Sequence, residues 1–332
     1  MASDHIFAAD IGGTNTRVAI LSVGKSVKIV ARSELKTSQI VSVNSLINSF
    51  LGHEDNKRYH ISVGVIGAKG SVDAKGDSIL SGKEIAIRRK DIIRHTRLKK
   101  VFLLNDLEAQ AYGLECTRPK KINGVSVAKD STKALLNVGT GIGMSIIPYS
   151  ICEKRHIPIR SEGGHLDFSA KDDFEFSLFE YLKEKSGVSH PDYEQVLSGR
   201  GLLNIYEFLE DISASDQFTK EIALLKGDER LEAIRLHYYE SDVCRQSVDL
   251  FIIFYARIAR NLAKVSCCYS GLYITGNIAR LYSDKLDSRS FLKHFEEGIS
   301  RRLRAQIPIF LVEEKDLGLL GCGVFAKHDI RR

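Results

Sequence analysis

Short apolar runs broken by glycine-rich turns alternate with longer stretches of helical period along this 332-residue chain. Ile6-Phe7-Ala8-Ala9 is interrupted by Asp10-Ile11-Gly12-Gly13-Thr14-Asn15, after which Arg17-Val18-Ala19-Ile20-Leu21 turns apolar again. Apolar runs on both sides of Gly-rich turn residues predict a β-hairpin. The plan recurs as Ala134-Leu135-Leu136-Asn137-Val138, Gly139-Thr140-Gly141-Ile142-Gly143 and Met144-Ser145-Ile146-Ile147. Setting Gly12 over Gly139, an offset of 127 residues, also aligns Asp10 with Asn137. Two related halves are expected.

Other segments predict an α/β assembly. Residues His60 to Ile66 and Lys100 to Leu104 read as buried strands, and Asp106 to Glu115 as a helix whose acidic first turn suits the helix dipole. Beyond Phe174 the period becomes helical. Phe174, Leu178 and Tyr181-Leu182 form one stripe, and Val248, Phe251-Ile252, Tyr255, Ile258-Ala259 and Leu262 a longer one, both read as core faces. Gly271 to Thr275 gives a strand entering a Gly276-Asn277 turn, and Pro308 to Val312 gives another ahead of Gly318, Gly321 and Gly323. The second half is therefore larger and richer in helix.

Composition narrows the class. The length suits about two domains, and 43% hydrophobic residues with 27% charged and only 5 Pro exclude a disordered or collagen-like chain. The longest purely apolar run, Leu250 to Ala256, is seven residues, against roughly 20 for a membrane span. Asp4 and Asp10 occupy the region where a signal peptide needs a basic flank and an apolar core, so a cytoplasmic protein is expected. The six cysteines show no Cys-x-x-Cys spacing and are expected to be reduced and mostly buried. Much of the +6 net charge lies in Arg88 to Lys100, where seven Lys or Arg meet one Asp. Ile87, Ile92, Ile93 and Leu98 are interleaved with these charges, which predicts a solvated helix face and no nucleic-acid partner.

Each Gly-rich turn is explained most simply as a tight hairpin, since glycine accepts positive φ at no steric cost. Glycines also let an anion reach backbone N–H groups, forming a small nest. Thr14, Thr16 and Thr140 add hydroxyl donors, and two such turns could grip one polyphosphate. Gly139-Thr140-Gly141-Ile142-Gly143 is not Gly-x-Gly-x-x-Gly, and neither Gly-x-x-x-x-Gly-Lys-Ser/Thr nor the His-Arg-Asp and Asp-Phe-Gly elements of protein kinases occur.

Five motifs in order carry a resemblance: Asp10-Ile11-Gly12-Gly13-Thr14-Asn15, Leu104-Asn105-Asp106, Gly139 to Gly143, Glu162-Gly163-Gly164-His165-Leu166-Asp167-Phe168, and Glu194-Gln195-Val196-Leu197-Ser198-Gly199. Together with the Gly318 to Gly323 tail they resemble bacterial-type glucokinase, of the actin-like, hexokinase and heat-shock ATPase superfamily. The resemblance implies an α/β fold with two actin-like, ribonuclease H-like domains, each with a mixed five-stranded sheet and flanking helices, and a cleft between them. The small domain would comprise residues 1–116 plus 317–332, and the large domain 117–316. It also implies ATP-dependent phosphorylation of glucose to glucose 6-phosphate, with ATP and Mg²⁺ as cofactors and a homodimeric state; the short apolar runs leave no membrane partner expected.

Site residues follow from the same resemblance. Asp106 corresponds to the general base that takes the sugar hydroxyl proton; on its own it reads equally as a helix-capping carboxylate. Asn105 corresponds to a sugar-binding amide, and Glu162, His165 and Glu194 to residues that hydrogen-bond sugar hydroxyls. A metal cluster of Glu162, His165 and Asp167 is the rival reading of that segment. Asp10 corresponds to the residue that holds Mg²⁺ through water. Gly12, Gly13, Thr14, Asn15, Gly139, Thr140 and Gly141 would cradle phosphates, and Gly276 and Asn277 would form the adenosine-site turn. The family's Thr-Asn pair and following Trp are replaced by Leu80-Ser81-Gly82-Lys83-Glu84-Ile85. That departure leaves open mannose or an amino sugar as substrate, or a non-catalytic sugar-binding regulator.

Overall fold

Strand β1 (His5–Ile11) is buried from Ile6 onward and pairs antiparallel with β2 (Asn15–Val23), from His5↔Ser22 to Ile11↔Thr16. The described residues of this computed structural model are 5–70, 72–73, 77–80, 85–214, 216–298 and 301–330. The hairpin expected at residues 6–21 is therefore present. Strand β3 (Val27–Lys36) adds antiparallel to β2, while β4 (Val63–Ala68) and β5 (Lys100–Asn105) add in parallel on the other side of β1, giving the order β3-β2-β1-β4-β5. Successive side chains of β1 enter opposite cores: Phe7, Ala9 and Ile11 join Ile20 and Ile66, and Ile6 and Ala8 join Leu21 and Val65. Burial on both faces is why this strand reads as a continuous apolar run. Asp10 is its one charged residue after His5.

The chain divides into two compact units, one of residues 1–118, 157–160 and 314–332 and one of 119–156 and 161–313. We call them the N-terminal and central units. In the N-terminal unit the helices Asp106–Gly113 and Leu317–Phe325 pack together on the side of the sheet that holds Leu319 and Cys322.

The central unit repeats the topology. Strands β6 (Lys120–Lys121), β7 (Lys133–Val138), β8 (Ile142–Ile147), β10 (Gly271–Thr275) and β11 (Ile309–Leu311), with the short β9 (Ile159–Ser161) of which Ser161 alone falls in this unit, lie in the order β9-β8-β7-β10-β11-β6. Here β7 and β8 form the second predicted hairpin, and β7, β10 and β11 run parallel. The run β2-β1-β4-β5 thus corresponds to β8-β7-β10-β11, and within it the hairpins β1-β2 and β7-β8 are the internal repeat seen at offset 127. This sheet has six strands rather than the five expected, because the short strands β9 and β6 extend its two edges.

The helix Asp242–Ser266 buries Val248, Phe251, Ile252, Tyr255, Ile258, Ala259 and Leu262, as its period predicts. Within this stripe Arg257 is buried against Glu175 of the helix Asp173–Ser186, two guanidinium nitrogens donating to its two carboxylate oxygens at 2.7 and 2.7 Å. Phe174, expected in the core, is 42% exposed, because the inward face of that helix is carried by Leu178 and Leu182. The strand expected at 60–66 begins three residues later and runs on through Gly67 and Ala68. In the basic segment the helix Arg89–His95 buries Ile92 and leaves Ile93 exposed, as a solvated face should. Cysteines 244, 268 and 322 are buried but 116, 152 and 267 are exposed, so burial is less general than expected. Among the described residues no helix is long and apolar enough to cross a membrane.

Candidate active site

In the N-terminal unit the β1–β2 connection is tied from one side. Gly12 N donates to Asn15 O at 3.1 Å, and the backbone N of Thr37 donates to Thr14 O at 2.9 Å. The Thr37 hydroxyl donates to Gly12 O at 2.8 Å and lies 2.9 Å from the Thr16 hydroxyl. Thr16 is fully buried, so the anion-donor role suggested for its hydroxyl is corrected: it fastens the turn from beneath. The other side stays open. Gly13 and Thr14 are exposed, and a Cβ placed on Gly13 would have within 4 Å only the Lys69 side chain, at 3.7 Å from Cδ and 3.9 Å from Nζ.

Asp10, at the end of β1, is 8% exposed. The first turn of the helix Leu317–Phe325 lies against it, so closely that a Cβ on Gly318 would sit 2.6 Å from its Cγ. Arg17 stands 3.7 Å from its carboxylate and 3.2 Å from Glu34, and Arg32 joins Glu34 and Asp316 at 2.7 and 2.8 Å. Burial, and then the nearby Asp106 carboxylate, push the Asp10 carboxyl up to about 7, with Asp316 and Glu34 adding to the rise and Arg17 opposing it. A buried carboxyl raised by a second carboxylate is a donor set that fits a hard divalent cation such as Mg²⁺.

Asp106 opens the helix Asp106–Gly113 directly after β5. The cap is Asn105, whose Oδ1 accepts from Leu107 N at 3.0 Å and Glu108 N at 3.4 Å while Nδ2 donates to Gly70 O at 3.1 Å. The capping role weighed for Asp106 therefore belongs to its neighbour. Of the segment that departs from the family pattern, Ser81 to Glu84 lie outside the described residues.

In the central unit two turns are zipped together. Phe168 N donates to Pro191 O at 2.8 Å and Tyr193 N to Leu166 O at 3.0 Å, while the Phe168 ring packs edge-on against Tyr193 and Phe254. This brings together Glu162, His165 in the turn Gly163–His165, and Glu194 in the turn Tyr193–Gln195. His165 Nδ1 lies 2.8 Å from Asp192 Oδ2. That hydrogen bond raises the imidazole above its ordinary range, burial opposes it, and the Asp192, Glu194 and Glu162 charges add to the rise. Among the described residues no group of three or more His, Cys, Asp or Glu is arranged to hold a metal ion.

The second Gly-rich turn is closed by Gly139 N donating to Gly141 O at 2.8 Å. The helix Gly199–Ile212, capped by Ser198 through Gly201 N at 2.9 Å, is fastened to it by Gly199 N donating to Gly139 O at 3.1 Å. Gly276, at φ +110°, opens the helix Asn277–Leu281, and its missing side chain is required because a Cβ would lie 2.0 Å from Val138 O. A Cβ on Gly139 would lie 3.8 Å from both Asn137 Oδ1 and Asn277 N, so Gly139, Thr140, Gly141, Gly276 and Asn277 form one constellation. Sequence reasoning missed Asp192, Gly318 and Lys69. Asp192 carries no motif, and Gly318 was noted only as part of the tail. Lys69 had a signal in Gly-Ala-Lys-Gly, a lone cation closing an apolar strand.

The chain is similar to known proteins along nearly its whole length. A glucokinase from Photorhabdus laumondii is 25% identical over 330 residues, covering 97% of each chain. Among solved structures, a glucokinase from an Antarctic psychrotroph superposes with a TM-score of 0.77 at 22% identity, covering 97% of this chain and 98% of that one. A glucokinase from Balamuthia mandrillaris in complex with glucose gives 0.78 at 20% identity, with 97% and 93% covered. The glucokinase family model matches residues 7–329, and on that nearly complete match the chain belongs to the glucokinase family.

Proposed function

We propose that this protein transfers the γ-phosphoryl group of ATP to the C6 hydroxyl of glucose, releasing glucose 6-phosphate and ADP. The observation that carries the reading is the Asp106 carboxylate, set at the start of a helix already capped by Asn105 and close enough to raise the buried Asp10 carboxyl. A sugar hydroxyl is a poor nucleophile at neutral pH, and a positioned carboxylate that accepts its proton contributes about 10²- to 10⁴-fold.

Asn105, Glu162, His165 and Glu194 bind sugar hydroxyls in this reading. The hydrogen bond to Asp192 raises the His165 imidazole and orients its ring, with Nδ1 on Asp192 and Nε2 left for a hydroxyl. Gly12, Gly13, Thr14 and Asn15 offer one phosphate nest and Gly139, Thr140 and Gly141 another, with Gly276 and Asn277 at the adenosine. Asp10 would hold Mg²⁺ through water, and the ion would supply neutralisation of phosphate charge. The family division into residues 1–116 plus 317–332 and 117–316 belongs to the same proposal, as do the cytoplasmic location and the homodimer.

A second substrate reading rests on Leu80 to Ile85, where the family amide is missing. A coupled ADP-release assay with ATP, Mg²⁺ and a panel of glucose, mannose and amino sugars tests both. Glucose turnover supports the first reading and preference for another hexose the second. No hexose-dependent ADP release, with sugar binding retained in calorimetry, leaves the non-catalytic regulator instead.

A further inference from the structure

Strand β4 ends beside β1, with Ala68 opposite Ile11, and the next residue, Lys69, is held there by its backbone N donating to Ile11 O at 2.9 Å. Its backbone is thus fixed at the mouth of the first glycine turn. The side chain runs back over that turn and brings the ammonium 3.9 Å from where a Gly13 Cβ would be. No other described heavy atom outside the immediate chain approaches this point within 4 Å.

Lys69 makes no ion pair among the described residues, whereas Arg17, Arg32, Glu34 and Asp316 of the same unit are tied into a network of pairs. A partly buried lysine whose ammonium reaches over an open, glycine-lined turn is placed to meet an anion bound at that turn. We infer that Lys69 is a ligand of the terminal phosphate of the nucleotide, a residue that no resemblance assigned. The inference rests on the ATP reading of the Gly12-Gly13 turn and deepens it.

During transfer the sugar O6 forms its bond to Pγ, the bond from Pγ to the ADP oxygen breaks, and the O6 proton passes to Asp106. Lys69 stays protonated throughout and offsets charge on the equatorial phosphoryl oxygens. A compact ammonium on a flexible stem can follow the phosphorus as it moves, and its hydrogen bonds strengthen as negative charge builds on those oxygens.

The experiment compares wild type with Lys69→Met and Lys69→Arg. Calorimetry with inorganic tripolyphosphate and with ADP measures binding, the coupled assay gives kcat and KM, and a thermal melt reports folding. Lys69→Met is expected to lower kcat/KM for ATP at least tenfold and to weaken tripolyphosphate more than ADP. Glucose affinity and the melting midpoint should stay at wild-type values, and Lys69→Arg should recover part of the loss. A Lys69→Met protein with wild-type tripolyphosphate binding and kcat/KM overturns the inference. Equal loss of ADP and tripolyphosphate binding also overturns it, because a ligand of the terminal phosphate distinguishes them. If wild type binds neither polyphosphate nor nucleotide, the ATP reading itself has failed.

Discussion

Replacing Gly318 with Ala adds one methyl group at the most crowded point of the N-terminal unit's site. The new carbon would lie 2.6 Å from Asp10 Cγ and 2.7 and 3.0 Å from its two oxygens. Carbon atoms in contact sit about 3.5–4.0 Å apart, so the carboxylate or the start of the helix Leu317–Phe325 must shift by about 1 Å. Overpacking of this kind costs about 1–3 kcal/mol, and the gain in helix propensity from Gly to Ala returns about 1 kcal/mol. Net destabilisation is therefore small, about 0–2 kcal/mol. Catalysis should suffer more, because a displacement near 1 Å in a positioned group costs on the order of 10²-fold. Urea melts and the coupled assay at saturating ATP, Mg²⁺ and glucose measure the two effects on one preparation. A Gly318→Ala protein with wild-type kcat would refute the claim that the position of the Asp10 carboxylate matters to the chemistry.

Asp106→Asn should fold and bind glucose in calorimetry yet lose at least about 10²-fold in kcat; full activity would remove it as the base. Arg257→Met leaves the buried Glu175 with only Lys171, whose ammonium is 3.7 Å away, and should cost about 3–5 kcal/mol in urea unfolding, with near-native stability contradicting the role given to that pair. His165 has a raised folded pKa, so its pairing with Asp192 adds stability below its ordinary value and loses it as pH climbs through the raised one. More than half of the side chain is exposed, so the stability effect is small. The clearer readout is the glucose KM, which should rise as pH climbs through the raised value, with Asp192→Asn moving that rise to lower pH. A profile unmoved by Asp192→Asn separates His165 from sugar binding.

Much of this arrangement was legible in the sequence because the decisive signals are local. Both hairpins appear as apolar runs around glycines, since a strand buried on two faces needs apolar residues throughout and the turns need residues without side chains. The order of the parallel strands was not legible, because the repeat at Gly12 and Gly139 covers only the two antiparallel hairpins. Strand β3 was not legible, because Val27–Lys36 is a largely exposed edge in which Lys28, Arg32, Glu34 and Lys36 break up the apolar pattern. Phe174 misled for the opposite reason: one helical stripe cannot say which of its rings ends at the border of the core. In the site, the motifs pointed only to side chains within a few residues of one another, whereas the placement of Asp192 and Lys69 depends on distant segments brought together by folding. Thr16 shows the limit most plainly, since its hydroxyl looks like a donor in sequence and is turned inward to Thr37 in the fold.

The central claim, transfer of phosphate from ATP to the C6 oxygen of glucose, is tested most directly by phosphorus NMR on a mixture of the protein, ATP, Mg²⁺ and glucose. The account predicts ADP and glucose 6-phosphate in equal amounts, with the phosphorus coupled to the C6 protons. ADP accompanied only by inorganic phosphate, or a phosphate attached at another carbon, would contradict it.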